Sequence, residues 1–258
     1  MFPFINIFNR QISVYALFIL IGIAVGVWFA STRASVYSVS RQHIVFASMY
    51  GILGAIAGGK VLYLITILPF LVKNASWFFK DMNNISAIFA GGFVYFGGLF
   101  GAVFGVWVYA KQYKLKAGTM IDIIAPALPL IHGFGRVGCF FAGCCYGRPI
   151  NPPFGVYFQN SPVAPHDIAL FPVQLLEAVL NMILFVIMYI KFRKKETHQE
   201  AITFYLIGYS ILRFLLEFFR YDAQRGIFFN LSTSQWISLL VCVVLLCIHW
   251  RKIHIVKH

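Results

Sequence analysis

Charged side chains inside apolar segments are the first feature of this sequence that points to chemistry. Arg213, Glu217 and Arg220 follow one another at i, i+4 and i+7 in an otherwise apolar run. In a helix this spacing places all three on one face, where the carboxylate can hold both guanidiniums. Such a ladder either only pins helices together or forms an anion pocket, because the arginine fork suits phosphate.

A second cluster surrounds Arg136, in the segment His132–Pro149. Its five glycines between Gly133 and Gly147 disfavour a plain helix, and they let backbone amides approach whatever group Arg136 faces. At membrane depth such a segment must line a cavity or be buried in protein. A glycine-rich turn with an arginine suits a phosphate headgroup, although a close-packed turn between two elements would have the same composition.

Three cysteines of this cluster, Cys139, Cys144 and Cys145, permit three interpretations. With His132 they could supply four ligands to zinc, but adjacent cysteines are an awkward pair and the usual spacing is missing. One thiol could act covalently or in redox chemistry, activated by a neighbouring arginine. Otherwise they are small packing residues or form a disulfide in an oxidising exterior. We expect no resident metal, and we interpret His132 alone as a hydrogen-bonded polar residue.

The elements that position these groups are predicted to be membrane helices. Of the 258 residues, 60% are hydrophobic and 11% are charged, against about 25% charged in soluble domains. We predict an all-α polytopic membrane protein with about seven transmembrane helices, forming a single transmembrane domain over residues 1–258. The fourth run contains Pro126 and Pro129, so we expect it to be kinked or partly re-entrant. The apolar runs are Ile12–Ala30, Ile44–Val72, Ile85–Ala110, Met120–Phe134, Phe171–Ile190, Ile202–Phe219 and Trp236–Trp250.

Basic residues between the runs predict the orientation in the membrane. Loops on one side carry twelve Lys and Arg and those on the other carry seven, so the positive-inside rule predicts an N-terminus outside and a C-terminus in the cytoplasm. The connection 135–170 is then extracytoplasmic. The net charge of +13 is spread over loops rather than gathered in one patch, which argues against nucleic acid as a partner. The twelve are Arg33, Arg41, Lys111, Lys114, Lys116, Lys191, Arg193, Lys194, Lys195, Arg251, Lys252 and Lys257, and the seven are Arg10, Lys73, Lys80, Arg136, Arg148, Arg220 and Arg225.

The order of these motifs resembles that of the prolipoprotein diacylglyceryl transferase family, bacterial membrane enzymes that begin lipoprotein maturation. The family's central pattern, G-R-x-G-N-F-x-x-x-E-x-x-G, is similar to Gly135–Gly147, and its arginine-rich motif is similar to Arg213–Arg220. The resemblance runs from about Ser13 to Asp222. Further matches in the family's order are Tyr15, Gly58-Gly59-Lys60 with Tyr63, Asp122–Pro126 and Pro172–Glu177.

The chain departs from the family pattern at four positions. Phe96 stands before Gly97-Gly98-Leu99 where the family usually has a histidine, so a histidine proposed as catalytic is absent. Cys139 and Cys144 occupy the asparagine and glutamate positions of the central pattern, and Lys60 replaces an arginine. These changes bear on the proton-transfer step and the acceptor more than on lipid binding.

The resemblance implies transfer of a diacylglyceryl group from phosphatidylglycerol to the lipobox cysteine of a preprolipoprotein. The expected location is the bacterial cytoplasmic (inner) membrane, with the site near its extracytoplasmic face. The implied partners are phosphatidylglycerol, preprolipoprotein signal peptides and membrane lipids, and no cofactor is implied because the lipid is itself the activated donor. The alternatives are a related membrane lipid transferase with another acceptor and a non-catalytic lipid-binding or transport protein.

The expected site follows from the resemblance and from the charge of the leaving glycerol phosphate. Arg136 and Arg213 would stabilise that charge, Glu217 would orient Arg213, and Tyr15 would position the lipid. The expected substrate-binding residues are Gly135, Gly138, Gly147, Arg220, Glu177, Gly97, Gly98 and Lys60. The candidates for a base or a reactive thiol are His132, Glu177, Cys139, Cys144 and Cys145.

Overall fold

The chain is mostly helical in a computed structural model, as its composition predicts. The structure describes residues 2–7, 10–74, 81–90, 92–194, 200–221 and 227–255. Of the positions used in the sequence predictions, Lys80, Lys195, Asp222, Arg225 and Lys257 lie outside the described residues.

Nine helices and two short hairpins make up the described part of the chain. The first hairpin pairs β1 (Phe4–Ile7) with β2 (Arg10–Ser13), and the second pairs β3 (Ile227–Phe228) with β4 (Leu231–Ser232). The helices are α1 (Val14–Arg33), α2 (Arg41–Lys73), α3 (Met82–Ala90), α4 (Tyr95–Gln112), α5 (Ala117–Ile124), α6 (Leu128–Ala142), α7 (Val173–Lys191), α8 (Glu200–Leu216) and α9 (Thr233–Ile255). Short 3-10 turns lie at Ala34–Tyr37, Ala125–Ala127 and Glu217–Phe219.

Five helical segments among the described residues are long and apolar enough to cross a membrane. They are Val14–Tyr37, Arg41–Lys73, Ala117–Ala142, Val173–Lys191 and Glu200–Phe219, and Thr233–Ile248 is a shorter apolar helix. The predicted third run is divided between α3 and α4, with Gly92 in a left-handed conformation (φ 62°) between them. A membrane protein is therefore supported, while the count of seven spans stays a prediction.

The fourth predicted span is interrupted at Ala125–Ala127, close to the prolines of the sequence. α5 and α6 are joined by the 3-10 turn Ala125–Ala127, which contains Pro126, and Pro129 lies in the first turn of α6. Proline fits there because its missing N–H would lack a helical partner anyway. The helix then runs on to Ala142, beyond the predicted end at Phe134.

Residues 31–124 form one compact unit, built on the packing of α2 against α4. A Cβ atom on Gly54 would meet the carbonyl oxygen of Gly101, and one on Gly58 would meet that of Gly97. The two helices thus touch through their backbones, as small residues on facing membrane helices allow.

Residues 1–30 and 125–258 form the other compact unit, in which α6 packs on α7, α7 on α8 and α8 on α9. Its core includes the buried side chains of Leu184, Met188 and Phe192 from the α7 segment and Ala201 and Tyr205 from α8. The charged groups around Arg136 and Arg213 both belong to this unit.

Candidate active site

A buried ion pair joins α6 to α7. Arg136 Nε lies 3.0 Å from Glu177 Oε1, and the two side chains are 14% and 1% exposed. Glu177 follows one turn after the start of α7, and neighbouring Gln174 and Ala178 are also buried. An unpaired carboxylate in this environment would carry a large desolvation cost, which the neighbouring guanidinium offsets.

A second ion pair lies at the end of α8. Arg213 Nη2 is 3.0 Å from Glu217 Oε2 and donates to Ser234 Oγ of α9 at 3.2 Å. The buried Nη1 of Arg213 has no hydrogen-bond partner among the described residues. The predicted pairing of Arg213 with Glu217 is confirmed, and the guanidinium retains a donor for a further acceptor.

The prediction that Arg220 shares a helix face with Arg213 and Glu217 is wrong. α8 ends at Leu216, the chain tightens into the 3-10 turn Glu217–Phe219, and Arg220 is extended (φ −87°, ψ 154°). Its backbone forms an antiparallel bridge with Gly147. This pairing brings Arg220 to the turn that contains Gly147. The bridge satisfies backbone groups that would have bonded within the helix if α8 had continued.

Tyr209 links the two pairs and was missed from the sequence. Its hydroxyl donates to Glu177 Oε1 at 3.4 Å and lies 3.4 Å from His132 Nε2. Tyr209 precedes Arg213 by four residues, which places both on one face of α8. That spacing was the available signal, although an aromatic residue in an apolar helix is more commonly a packing residue. His132 therefore has a hydrogen-bonding neighbour, as expected.

The prediction that the five glycines from Gly133 to Gly147 disfavour a plain helix is wrong for the first three of them. α6 continues through Gly133, Gly135 and Gly138, and ends only where Gly143 adopts a left-handed conformation (φ 68°). A Cβ on Gly138 would lie 3.1 Å from the carbonyl oxygen of Tyr15, whereas one on Gly135 would meet nothing closer than Ile19 at 4.0 Å. Gly138 is thus a close-packing position between α1 and α6 rather than a loop residue.

Gly147 lies in the turn that follows. A Cβ there would be 2.6 Å from the carbonyl oxygen of Phe171 and 2.8 Å from that of Phe219. Gly147 N donates to Phe171 O, and Arg148 N donates to Phe219 O. The glycine therefore lets the chain pass between the start of α7 and the end of α8.

The three cysteines of the central pattern Gly135–Gly147 lie close together. The Sγ atoms of Cys139, Cys144 and Cys145 lie within 4.8 Å of one another, and all three thiols are unpaired. Cys145 has φ 57°, a left-handed conformation that costs a non-glycine residue about 1–3 kcal/mol. Hydrogen bonds with the Cys139 and Cys144 thiols, and then the positive charge of Arg136, lower the pKa of Cys145 below its ordinary value. His132, the fourth ligand in the zinc alternative, is not part of this cluster.

The side chains around Arg136 form one electrostatically connected group. Arg136 interacts electrostatically with Tyr209, Cys139 and Cys145, besides Glu177. Tyr15 lies close enough to interact electrostatically with Cys139, Cys144 and Arg136, and Arg213 interacts in this way with Arg220, Glu177 and Tyr209. The predicted residues Tyr15, His132, Arg136, Glu177, Arg213, Glu217 and Arg220 are therefore brought together with the cysteines.

An apolar groove opens beside this group, along α6 and α7. Its volume is about 600 Å³, and it is lined by Val137, Leu175, Ala178, Val179, Met182, Ile183, Val186 and Ile187. Two lining residues, Val137 and Ala178, directly follow Arg136 and Glu177 in the sequence, on the two helices that the first ion pair joins.

The remaining predicted residues belong to the unit 31–124 and are described within it. Lys60 Nζ donates to the carbonyl oxygen of Gly92 at 3.0 Å. A Cβ on Gly97 would meet the Gly58 carbonyl, and one on Gly98 would lie 2.7 Å from the Phe93 ring. In this unit Gly97 therefore serves the packing of α2 against α4, and Gly98 leaves room for the Phe93 ring.

Comparison with known proteins agrees with the resemblance drawn from the motifs. The family described as prolipoprotein diacylglyceryl transferase matches residues 3–251. A phosphatidylglycerol–prolipoprotein diacylglyceryl transferase of Clostridium tetani (strain Massachusetts / E88) is 36% identical over 93% of this chain and 92% of its own. A second such enzyme of Clostridium perfringens (strain 13 / Type A) is 31% identical over 92% and 90%, and one of Rickettsia bellii (strain OSU 85-389) is 31% identical over 92% of each.

Proposed function

Because the chain belongs to the prolipoprotein diacylglyceryl transferase family and is a transferase, we propose that it moves diacylglyceryl from phosphatidylglycerol to a lipobox cysteine thiol. The acceptor would be an exported preprolipoprotein. In this reaction a C–S bond forms at the glycerol carbon of the donor. The C–O bond to phosphate breaks, and glycerol phosphate leaves with the electron pair.

The observation that carries this proposal is the pair of arginines held by buried carboxylates. Negative charge develops on the leaving phosphate, and cations already fixed in place stabilise it without reorganisation. Glu177 fixes Arg136 and Glu217 fixes Arg213, each at 3.0 Å. Arg213 retains the buried Nη1 donor without a partner among the described residues, which suits a phosphate oxygen.

The surrounding residues have supporting roles in the proposed mechanism. Tyr15 would position the donor by a hydrogen bond, and Arg220 would add positive charge close to Arg213. Tyr209 would hold Glu177 in the orientation that Arg136 requires. Gly138 and Gly147 would act indirectly, because their missing side chains allow α1, α6 and α7 to close around the group.

The apolar groove along α6 and α7 is the proposed place for an acyl chain of the donor. All of its lining side chains are apolar, and two of them, Val137 and Ala178, directly follow Arg136 and Glu177 in the sequence. A phospholipid likewise combines an anionic headgroup with hydrocarbon chains. Lys60, Gly97 and Gly98 remain proposed substrate-binding residues in the other unit.

The proposed setting is the bacterial cytoplasmic membrane, with the site near its extracytoplasmic face. The excess of Lys and Arg in alternate loops supports an N-terminus outside and a C-terminus inside. About seven spans are proposed in total, of which five have suitable helices in the described residues, and Thr233–Ile248 is a further apolar helix.

The direct test is to incubate the purified chain with phosphatidylglycerol and a lipobox peptide and to follow the peptide by mass spectrometry. A gain of one diacylglyceryl unit is expected. The rate of transfer should fall about 10²–10³-fold in Arg213→Ala. Arg193→Ala, which removes an exposed arginine beyond α7, should retain the wild-type rate. No gain from a protein that binds phosphatidylglycerol would refute this acceptor and favour the related transferase with another acceptor. No turnover of the lipid with any thiol would favour a non-catalytic lipid-binding protein.

A further inference from the structure

Three thiols converge at the end of α6. Among the residues that the structure describes, the Sγ atoms of Cys139, Cys144 and Cys145 lie within 4.8 Å of one another. Cys144 N donates to Cys139 O at 3.2 Å, and Gln174 Nε2 of α7 donates to Cys144 O at 2.8 Å. The left-handed backbone at Cys145 then turns two adjacent side chains towards one point. The cluster is therefore preformed by one turn and anchored to the next helix.

Three convergent thiols are a suitable ligand set for a soft tetrahedral cation. Zn²⁺ binds thiolate sulfur at about 2.3 Å, and catalytic zinc sites keep three protein ligands with one position open. At that bond length the sulfurs of a tetrahedral site are about 3.8 Å apart, so modest side-chain rotations within this cluster suffice. Arg136 and Arg220 lie close enough to Cys145 to offset electrostatically the negative charge of three thiolates.

The fourth position has no ligand from His132. His132 lies two helical turns before Cys139, a rise of about 10 Å, and its Nε2 is next to the Tyr209 hydroxyl. It is absent from the group of converging ligand atoms. Cys144 and Cys145 are partly exposed, so an external ligand can reach the cluster.

Two candidate bases near the site, Glu177 and His132, already interact with charged side chains. Glu177 forms its ion pair with Arg136 and accepts from Tyr209. His132 interacts electrostatically with the positive charges of Arg136 and Arg213. Coordination of the acceptor thiol to a metal ion would supply a thiolate without either residue.

We propose that Cys139, Cys144 and Cys145 bind Zn²⁺ and that the open fourth position receives the acceptor thiol. This inference rests on the function proposed above. Coordination releases the acceptor's proton to solvent water, since a thiol bound to zinc is deprotonated. The bound thiolate attacks the glycerol carbon, a C–S bond forms, and the C–O electron pair leaves with glycerol phosphate. The neutral thioether product is a weak ligand and dissociates, and zinc keeps its oxidation state throughout.

The competing chemistry of this cluster is a disulfide. Adjacent Cα atoms are about 3.8 Å apart, shorter than the separation of about 4.4–6.8 Å usual in disulfides, which disfavours a Cys144–Cys145 bond. A Cys139–Cys144 bond would remove two of the three zinc ligands. The two chemistries therefore exclude each other and can be separated by thiol and metal content.

The first experiment measures metal binding in the absence of lipid. Purified chain is freed of metal with a chelator, equilibrated with Zn²⁺ and analysed for bound zinc and for free thiols. One zinc per chain is expected for the wild type and for the control Cys242→Ser, with at least tenfold weaker binding in Cys144→Ser and in Cys145→Ser. Equal binding in all four proteins, or a mass that shows a disulfide within the cluster, would overturn the proposal. Size-exclusion profiles verify that each variant is folded.

The second experiment tests the acceptor role with Cd²⁺ as the probe. Charge transfer from thiolate to Cd²⁺ absorbs in the ultraviolet in proportion to the thiolates bound. A lipobox peptide should raise this absorbance by about one third, as three thiolates become four, and a peptide with serine in place of cysteine should leave it unchanged. Equal absorbance with both peptides would overturn the acceptor role.

These readouts separate this inference from the proposed function. Metal and peptide binding without any transfer from phosphatidylglycerol would refute the proposed function and leave the zinc site standing. Transfer at the full rate by metal-free protein would refute the zinc inference and leave the proposed function standing.

Discussion

Arg136 Nε and Glu177 Oε1 lie 3.0 Å apart and join α6 to α7 at the centre of the charged group. The carboxylate is almost fully buried, and the guanidinium is 14% exposed. Arg136 thus contacts Glu177 through Nε, and the rest of its side chain is partly accessible. The same contact therefore positions a cation for the proposed chemistry and connects two helices.

Replacing Glu177 by Gln should destabilise the protein, because Arg136 would be left as a largely buried charge without its counterion. The expected loss in the free energy of unfolding is about 3–5 kcal/mol. Unfolding by titration with a denaturing detergent measures it. The double variant Arg136→Met/Glu177→Leu should recover most of the loss, since it buries no charge. If the double variant is as unstable as the single one, the ion pair is not the cause.

Two glycines of α6 should respond oppositely to alanine. Gly138→Ala places a methyl group 3.1 Å from the Tyr15 carbonyl oxygen and 3.2 Å from Phe18 Cβ, so α1 and α6 must separate at a cost of about 1–3 kcal/mol. Gly135→Ala meets only Ile19 at 4.0 Å, and it should stabilise the helix by about 0.5–1 kcal/mol. Thermal unfolding of both variants in the same detergent gives the comparison. Similar shifts in both would contradict the packing described for Gly138.

Removing the Tyr209 hydroxyl should slow transfer moderately. Tyr209→Phe deletes the hydrogen bond to Glu177 Oε1 and the contact with His132 Nε2, while the Arg136–Glu177 pair remains. Because the hydroxyl acts on the reaction only through the orientation of Glu177 and Arg136, a decrease of up to about tenfold in kcat is expected. Initial rates with phosphatidylglycerol and a lipobox peptide measure it. Tyr205→Phe, one turn away in the apolar core of α8, is the matched control.

A narrower apolar groove should raise the KM of long-chain donors more than that of short-chain donors. Val179→Phe adds bulk to the groove lining, and long-chain phosphatidylglycerol should show a several-fold higher KM, because burial contributes about 0.8 kcal/mol per CH₂. Short-chain phosphatidylglycerol should be affected less. Val243→Phe on α9 is the control, since Val243 is 57% exposed against 56% for Val179 and lies outside the groove. Equal effects of the two variants on both donors would exclude this groove as the acyl site.

The sequence alone established the membrane class, the family and the pairing of Arg213 with Glu217. The first follows from composition, since an 11% charged chain lacks the polar residues to cover a soluble domain. The pairing follows from helical periodicity, which brings i and i+4 together wherever the helix lies. The break in the helix at Pro126 was also predictable from local backbone chemistry.

Tertiary structure decided the contacts between residues distant in the chain. No periodicity relates Arg136 to Glu177, or Tyr209 to His132, and these pairs exist only because α6, α7 and α8 pack together. Arg220 leaves its expected helix face because the 3-10 turn after Leu216 and the bridge to Gly147 redirect the backbone. The convergence of Cys139, Cys144 and Cys145 likewise depends on two left-handed residues, Gly143 and Cys145. Residue types and spacing thus specified which groups were available, and helix packing specified which of them meet.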